Sequence, residues 1–353
     1  MKWIRQKKWY IIIAAGILVC IAAILFFTPF GYRAILSAAQ SMHTDRIQSD
    51  TTYPELDDAL NANMIFAVDA VPQNESQFAL CMDFVQYLNR ETGLSYIGAD
   101  LGFSRAELLN LYLESGNTAY FDTALSDLEP EQKALWQSFC ETLFQYCRDN
   151  RTDIRLFGLC NDNAVTPVYA YISALIDRCG GVRESTETQI YSLLESPSDD
   201  ITYLTSLYQS YTVYPNLYNG FFGGDYLYFS LAMDRCAKFV SENETATVPS
   251  DRTDTFNRLA NRFIRGKYLL LTPDTDFLRQ SHTVNSSLTN RLLLIRVFSD
   301  DSRFDQGIHL VNNLAVLPYA DRYMWLCDLY GTNYDRDLYD VETRGAYSLI
   351  WNP

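Results

Sequence analysis

From Trp9 to Tyr32 the chain carries no charged side chain: WYIIIAAGILVCIAAILFFTPFGY. A helix of that length rises roughly 36 Å at about 1.5 Å per residue, enough to cross a hydrocarbon core of about 30 Å. Backbone polar groups in lipid can be satisfied only within the segment, which selects a helix. Trp3, Trp9 and Tyr10 at one end, with Phe30 and Tyr32 at the other, suit the two membrane interfaces. Lys2, Arg5, Lys7 and Lys8 precede the run and only Arg33 follows closely. That asymmetry predicts a cytoplasmic N-terminus and a main domain outside. A cleaved signal peptide is the competing reading. Its apolar core would be only about 7–15 residues, and Leu36-Ser37-Ala38-Ala39 is a poor cleavage site. The expectation is a basic cytoplasmic tail at 1–8 and a single-pass cell-membrane anchor at 9–32.

Composition constrains the rest. Apolar residues make up 48% of the 353 and charged residues 20%, which excludes a disordered chain. With 25 Tyr and 20 Phe, the core is aromatic-rich. There are 43 acidic and 28 basic residues, and four of the basic ones sit in the tail. An acidic domain without a Lys/Arg cluster repels phosphate backbones, so no nucleic acid is expected as a partner. Cys20 falls in the apolar run and seven cysteines follow it without a CxxC, which argues against a zinc ribbon or redox pair. Cys140 and Cys147 on one helix would stand about 10.5 Å apart along its axis, too far to bridge. The three histidines, His43, His282 and His309, have no metal-ligand spacing, so no metal is expected. No G-x-S-x-G, P-loop or G-x-G-x-x-G occurs, and no cofactor is expected.

Past the anchor, 33–60 reads as a polar linker and 61–353 as the main domain. Met64–Val68 is a short apolar run suited to a buried parallel strand. Phe78, Cys81, Met82, Val85 and Leu88 follow at helical spacing, and Gly93 closes that helix. Ser95–Gly98 reads as a second strand. Ser104-Arg-Ala-Glu107 reads as a capping box for a helix beginning at Arg105. Pro130 suits the first turn of another helix. Ile154–Leu159 is a third strand, followed by a helix over Pro167–Cys179. The middle, about 185–265, is helical and tyrosine-rich. Strands resume at Lys267–Leu271, Leu292–Phe298 and Tyr323–Cys327. This order predicts an α/β fold: a mostly parallel sheet flanked by helices, with a helical insertion, preceded by one transmembrane helix.

Met64 to Gly116 resembles the erythromycin-esterase-like proteins, above all in Asp100-Leu-Gly-Phe-Ser-Arg-Ala106-Glu-Leu-Leu-Asn-Leu-Tyr112-Leu-Glu-Ser-Gly116. Arg155–Gly158 stands where the family's third strand is expected, and Lys267–Leu271 is similar to the strand leading into its second His motif. The resemblance implies an unusual α/β hydrolase fold whose first strand ends in a Gly-Glu-x-x-His-Gly type motif. Here that stretch reads Ala67-Val-Asp69-Ala-Val71-Pro72. Asp69 stands for the family's Glu, Val71 for the His, and Asp100 for the second Glu. Thr272-Pro-Asp274-Thr-Asp276 follows the later strand without a His. The resemblance thus implies the fold while the general base for water attack is missing, since valine carries no proton. Asp69 and Asp100 are the candidate carboxylate pair, and Asp274, Asp276 and His282 the candidate ligand-binding residues. The expected function is non-catalytic ligand or partner binding at the cell surface, the ligand or protein partner being unknown. The alternative is a hydrolase using Asp69 and Asp100.

Overall fold

In the computed structural model the described residues are 2–47, 60–68, 71–240, 256–258, 266–272, 292–299, 305–333 and 347–352. The chain divides into two compact units. A central unit covers Ser49–Leu293, and a terminal unit joins Met1–Gln48 to Leu294–Pro353. The strands, in chain order, are β1 (Thr44–Ile47), β2 (Ile65–Val68), β3 (Leu94–Gly102), β4 (Arg155–Cys160), β5 (Lys267–Leu271), β6 (Leu292–Ser299), β7 (Gly307–Asn312) and β8 (Tyr347–Asn352).

In the central unit β2, β5, β3 and β4 lie side by side in that order, all parallel. Ile97 of β3 stands between Leu269 of β5 and Leu156 of β4. Every residue of β2 and the last four of β5 are buried. Continuous burial, rather than alternation, is what a parallel sheet covered on both faces requires. The helix Glu75–Thr92 starts at Asn74, whose side chain accepts from the Gln77 N–H, and ends at Gly93 in the left-handed region, φ 72°. It buries Phe78, Cys81, Met82, Val85 and Leu88, as their spacing predicts. The helix Pro130–Asn150 carries Pro130 at its first turn.

The helix over Phe103–Ser115 starts two residues earlier than the capping-box reading places it. Gly102 is its N-cap and makes no side-chain cap bond. Ser104 lies inside the first turn, where its N–H is one of the orphan donors and needs an acceptor from elsewhere. The same helix closes the sheet. β4 pairs only with β3, and Asn110 fits against its other edge. Asn110 Nδ2 donates to the Leu156 carbonyl at 2.6 Å, and its Oδ1 accepts from the Leu156 N–H at 2.7 Å. One amide side chain thus stands in for a neighbouring strand at Leu156.

The helices after Cys179 are Thr188–Glu195, Ile201–Val213, Pro215–Phe222 and Tyr226–Val240. Their aromatic residues pack them together. Phe229 stacks on Phe222 at 4.2 Å and on Tyr218 at 5.1 Å, and the Tyr218 hydroxyl donates to Ser210 Oγ.

In the terminal unit β1 and β8 both pair antiparallel with β7, while β6 and β8 run parallel. Three expectations change here. The uncharged run is not one helix. A helix over Lys2–Phe27 ends before Thr28, whose side chain accepts from the Gly31 N–H and caps a second helix, Pro29–Met42. Proline lacks an N–H and is preset for a first helical position, so it starts a helix where it cannot continue one. Among the described residues no single helix is long and apolar enough to cross a membrane. Ile13–Ile24 and Pro29–Met42 meet that requirement only together, bent by 77°. The second change is in the polar linker, 33–60, where residues 33–47 continue that helix to Met42 and then form strand β1. The third is Tyr323–Cys327, which belongs to the helix Asn313–Tyr330 rather than to a strand. Val316, Ala320, Tyr323 and Cys327 recur at helical spacing and bury against Tyr32 and Leu36.

Replacing Asn110 with Ala strands a buried donor and a buried acceptor on Leu156. Each unsatisfied group costs about 1–3 kcal/mol, so the loss should be about 2–6 kcal/mol. Urea denaturation of the two chains measures it, and a difference below experimental error would refute the edge-closing role.

Candidate functional site

Parallel sheets present their sites at the carboxyl ends of the strands. In the central unit β3 and β4 approach unusually closely there. A Cβ at Gly158 would lie 2.3 Å from the Gly102 carbonyl oxygen, and a Cβ at Gly102 would lie 2.5 Å from Asp162 Oδ1. Two glycines therefore let the loop after β4 close over the start of the helix Phe103–Ser115. Asp162 enters this space. Its carboxylate accepts the Ser104 N–H at 3.0 Å and the Ser104 hydroxyl at 2.8 Å. Its own N–H donates to the Arg235 carbonyl at 3.1 Å. The acceptor that Ser104 needs is thus supplied from 58 residues downstream.

Asp100 is half-buried near the end of β3, and its Oδ1 accepts the thiol proton of Cys160, the last residue of β4, at 2.8 Å. Asp100 also lines a tightly packed slot, with no room for a water molecule, together with Val71, Phe78, Trp136, Phe139 and Leu271. The rings of Phe78, Trp136 and Phe139 meet edge to face at 5.3–5.8 Å. Cys81 also lines the slot, and burial pushes its thiol up to about 12. Such a thiol stays protonated near neutrality and is no nucleophile.

Position 71, where the resemblance expects a histidine, therefore lies beside Asp100 in the same slot, occupied by an isopropyl group. Asp69, Asp274, Asp276 and His282 lie outside the described residues. Of the histidines within them, His43 follows the Pro29–Met42 helix, where its N–H donates to the Ala39 and Gln40 carbonyls. His309 is buried in β7, with its ring Nε2 2.8 Å from the Asp305 carbonyl. Among the described residues no three His, Cys, Asp or Glu side chains form a metal-binding group.

A second polar cluster was not legible in the sequence. Buried Glu107 lies 3.4 Å from the Arg155 guanidinium, which also reaches Glu114 at 3.0 Å. Glu107, Arg155, Tyr96, Tyr228 and Tyr268 surround a small cavity of about 10 Å³, room for about one water molecule. Burial lifts the Glu107 carboxyl to about 6, while Arg155 pulls the other way. Glu107 and Arg155 stand 48 residues apart, and only the i,i+3 spacing of Glu107 and Asn110 marks a shared helix face.

No protein-family model and no curated protein matches this sequence. Among solved structures the chain is similar to a Bacillus cereus protein, with TM-score 0.58 and 11% identity over 90% of this chain and 97% of that one. It is similarly close to a succinoglycan biosynthesis protein, with TM-score 0.58 and 11% identity over 90% and 96%. At such identity the likeness shows the fold alone. An erythromycin esterase variant in its open conformation stands further off, with TM-score 0.43 and 15% identity over 73% and 76%. That is a distant structural relationship and carries no argument about chemistry.

Burial also raises the Asp162 carboxyl to about 6, against the pull of the Ser104 donors, Arg105 and Arg235. An unfolded Asp titrates near 3.9, so between about 4 and 6 the folded state holds more protons. Stability then falls as pH rises through that window. The Asp162 contribution to unfolding free energy should drop by on the order of 2 kcal/mol between pH 4 and 7. Denaturant titrations across that range should show a shallower fall in Asp162→Asn. An unchanged slope would refute the assignment.

Proposed function

We propose that this chain is a membrane-tethered, extracytoplasmic binding protein whose central unit recognises a small apolar group without hydrolysing an ester. The observation that carries the reading is Val71 beside Asp100. Hydrolysis near neutral pH calls for a positioned base, and histidine is the usual one. At this strand end the slot offers apolar walls and one carboxylate. Apolar walls with a single oriented polar group are the pattern of a binding pocket. The walls are side chains, so rotamer changes in Phe78 and Phe139 would admit a ligand. A carboxylate accepts hydrogen bonds, so the ligand would carry a donor next to its apolar body. The uncharged run and its basic flank support the tether.

The test uses the full chain in detergent. Benzylamine, an apolar ring with a cationic donor, should quench Trp136 saturably, read as the difference between wild type and Trp136→Phe. Asp100→Asn should weaken that binding about tenfold, since hydrogen bonds to charged groups contribute about 1.5–3 kcal/mol. No activated ester should turn over above buffer. Ester turnover that disappears in Asp69→Asn and Asp100→Asn would replace this reading with a carboxylate-pair hydrolase. Absence of saturable quenching would remove the binding site.

A further inference from the structure

The large exposed apolar side chains are unevenly placed. Among the described residues only Ile201, Val213 and Tyr214 lie in the central unit; the others belong to the three helices of the terminal unit. On the helix Asn313–Tyr330 all of them but Tyr330, in its last turn, form a stripe. Leu314 is 53% exposed, Trp325 55% and Leu329 63%, and Pro318 is exposed between them. At about 100° per residue, 314, 318, 325 and 329 fall within roughly 60° of arc. The opposite side of the helix is already used, since Val316, Ala320, Tyr323, Leu326 and Cys327 bury against Tyr32 and Leu36. The stripe is therefore no part of the core. Exposed Arg322 flanks it on one side, and exposed Asp321 and Asp328 on the other.

The stripe adjoins the end of the apolar helix Lys2–Phe27. Arg322 Nη2 donates to the Phe26 carbonyl at 3.5 Å, one of the last-turn acceptors that have no partner within the helix. The same guanidinium lies 5.7 Å from the Tyr32 ring and 5.8 Å from the Trp325 ring. Trp325 is thus held level with the point where the apolar run ends. Phe30, 88% exposed, sits at the turn between the two N-terminal helices. Trp, Tyr and Arg at the end of an apolar helix are the side chains that favour a membrane–water interface.

We infer that the Leu314–Leu329 stripe rests on the bilayer surface, with Trp325 and Leu329 in the upper part of the acyl chains, just below the headgroups, and Arg322 at the phosphates. The inference rests on the tether proposed above and goes beyond it. The terminal unit lies against the membrane instead of hanging from it on a leash. The bend after Phe27 is then the turn from a spanning direction to the membrane plane.

The experiment uses the full chain reconstituted in 3:1 phosphatidylcholine–phosphatidylglycerol vesicles. p-Benzoylphenylalanine is placed at 325, at 329 and, as a control, at exposed Glu131 of the central unit. Flotation reads the tether, and lipid adducts after irradiation read the docked stripe. The expected result is co-flotation with adducts at 325 and 329 at least tenfold above those at 131. Co-flotation with adducts no greater than at 131 overturns the docking and leaves the tether standing. Covalent dimers in place of lipid adducts overturn it in favour of a second copy of the chain. Failure to float overturns both. If the 325 substitution does not fold, the 329 chain decides alone.

Discussion

The contact on which the central unit turns is the one between two backbones at the ends of β3 and β4. With any side chain at 158, the Gly102 carbonyl would have to move, because a Cβ there falls 2.3 Å from its oxygen. Close approach at this point brings Asp162 to the N-terminus of the helix Phe103–Ser115. That helix is then held twice, by Asp162 at its start and by Asn110 along the edge of β4. Cys160 is fixed within reach of Asp100 by the same arrangement. Local helix signals alone would not set this geometry. Gly102 offers no capping side chain, and two of the anchoring groups come from a strand and loop about fifty residues away.

Desolvation decides the electrostatics of this region. Asp162 sits where a helix N-terminus, three hydrogen bonds and two arginines all favour the carboxylate, and burial still outweighs them. Glu107 shows the same balance beside Arg155. Arg105, buried with its guanidinium 2.8 Å from Asp127, is satisfied mainly by that one partner. Buried ionic groups of this kind are weak sources of net stability, but removing one partner leaves an uncompensated charge. Their effect is to make one arrangement of β3, β4 and the intervening helix much better than its neighbours.

The parts of the fold legible in the sequence were those with a local cause. The strand residues of β2, β5 and β6, the helix from Glu75 to its glycine stop, and Pro130 at a first turn all follow from patterning or from a backbone restriction. Ser104 was misread because a capping box and a first-turn serine bonded to a distant aspartate have the same local sequence. Tyr323–Cys327 was misread because five apolar residues fit either period, and only the partners Tyr32 and Leu36, almost three hundred residues earlier, select the helical one. Strands β7 and β8 have no counterpart among the sequence expectations, since each is a short run that becomes a strand only through pairing with its sheet neighbours, the other among them. At the site, Asp100 was readable from its place in a motif. Cys160, Asp162 and Glu107 were not, since each acquires its role from a partner that the sequence does not place beside it.

Position 71 shows how fold and chemistry separate. The parallel sheet, the strand-end aspartate and the flanking helices form without an imidazole, because none of the contacts holding them uses one. Phe78, Trp136 and Phe139 pack against one another, and Asp100 has its hydrogen bond from Cys160. A valine at the mouth of that slot adds apolar surface where a histidine would need a hydrogen-bond partner and space to change protonation state. Valine at this position is compatible with the packing around it, and it offers no group that could take a proton from water. A sheet can in this way keep its architecture across sequences that agree at about one residue in ten, because the side chains at its strand ends are not among those that hold the sheet together.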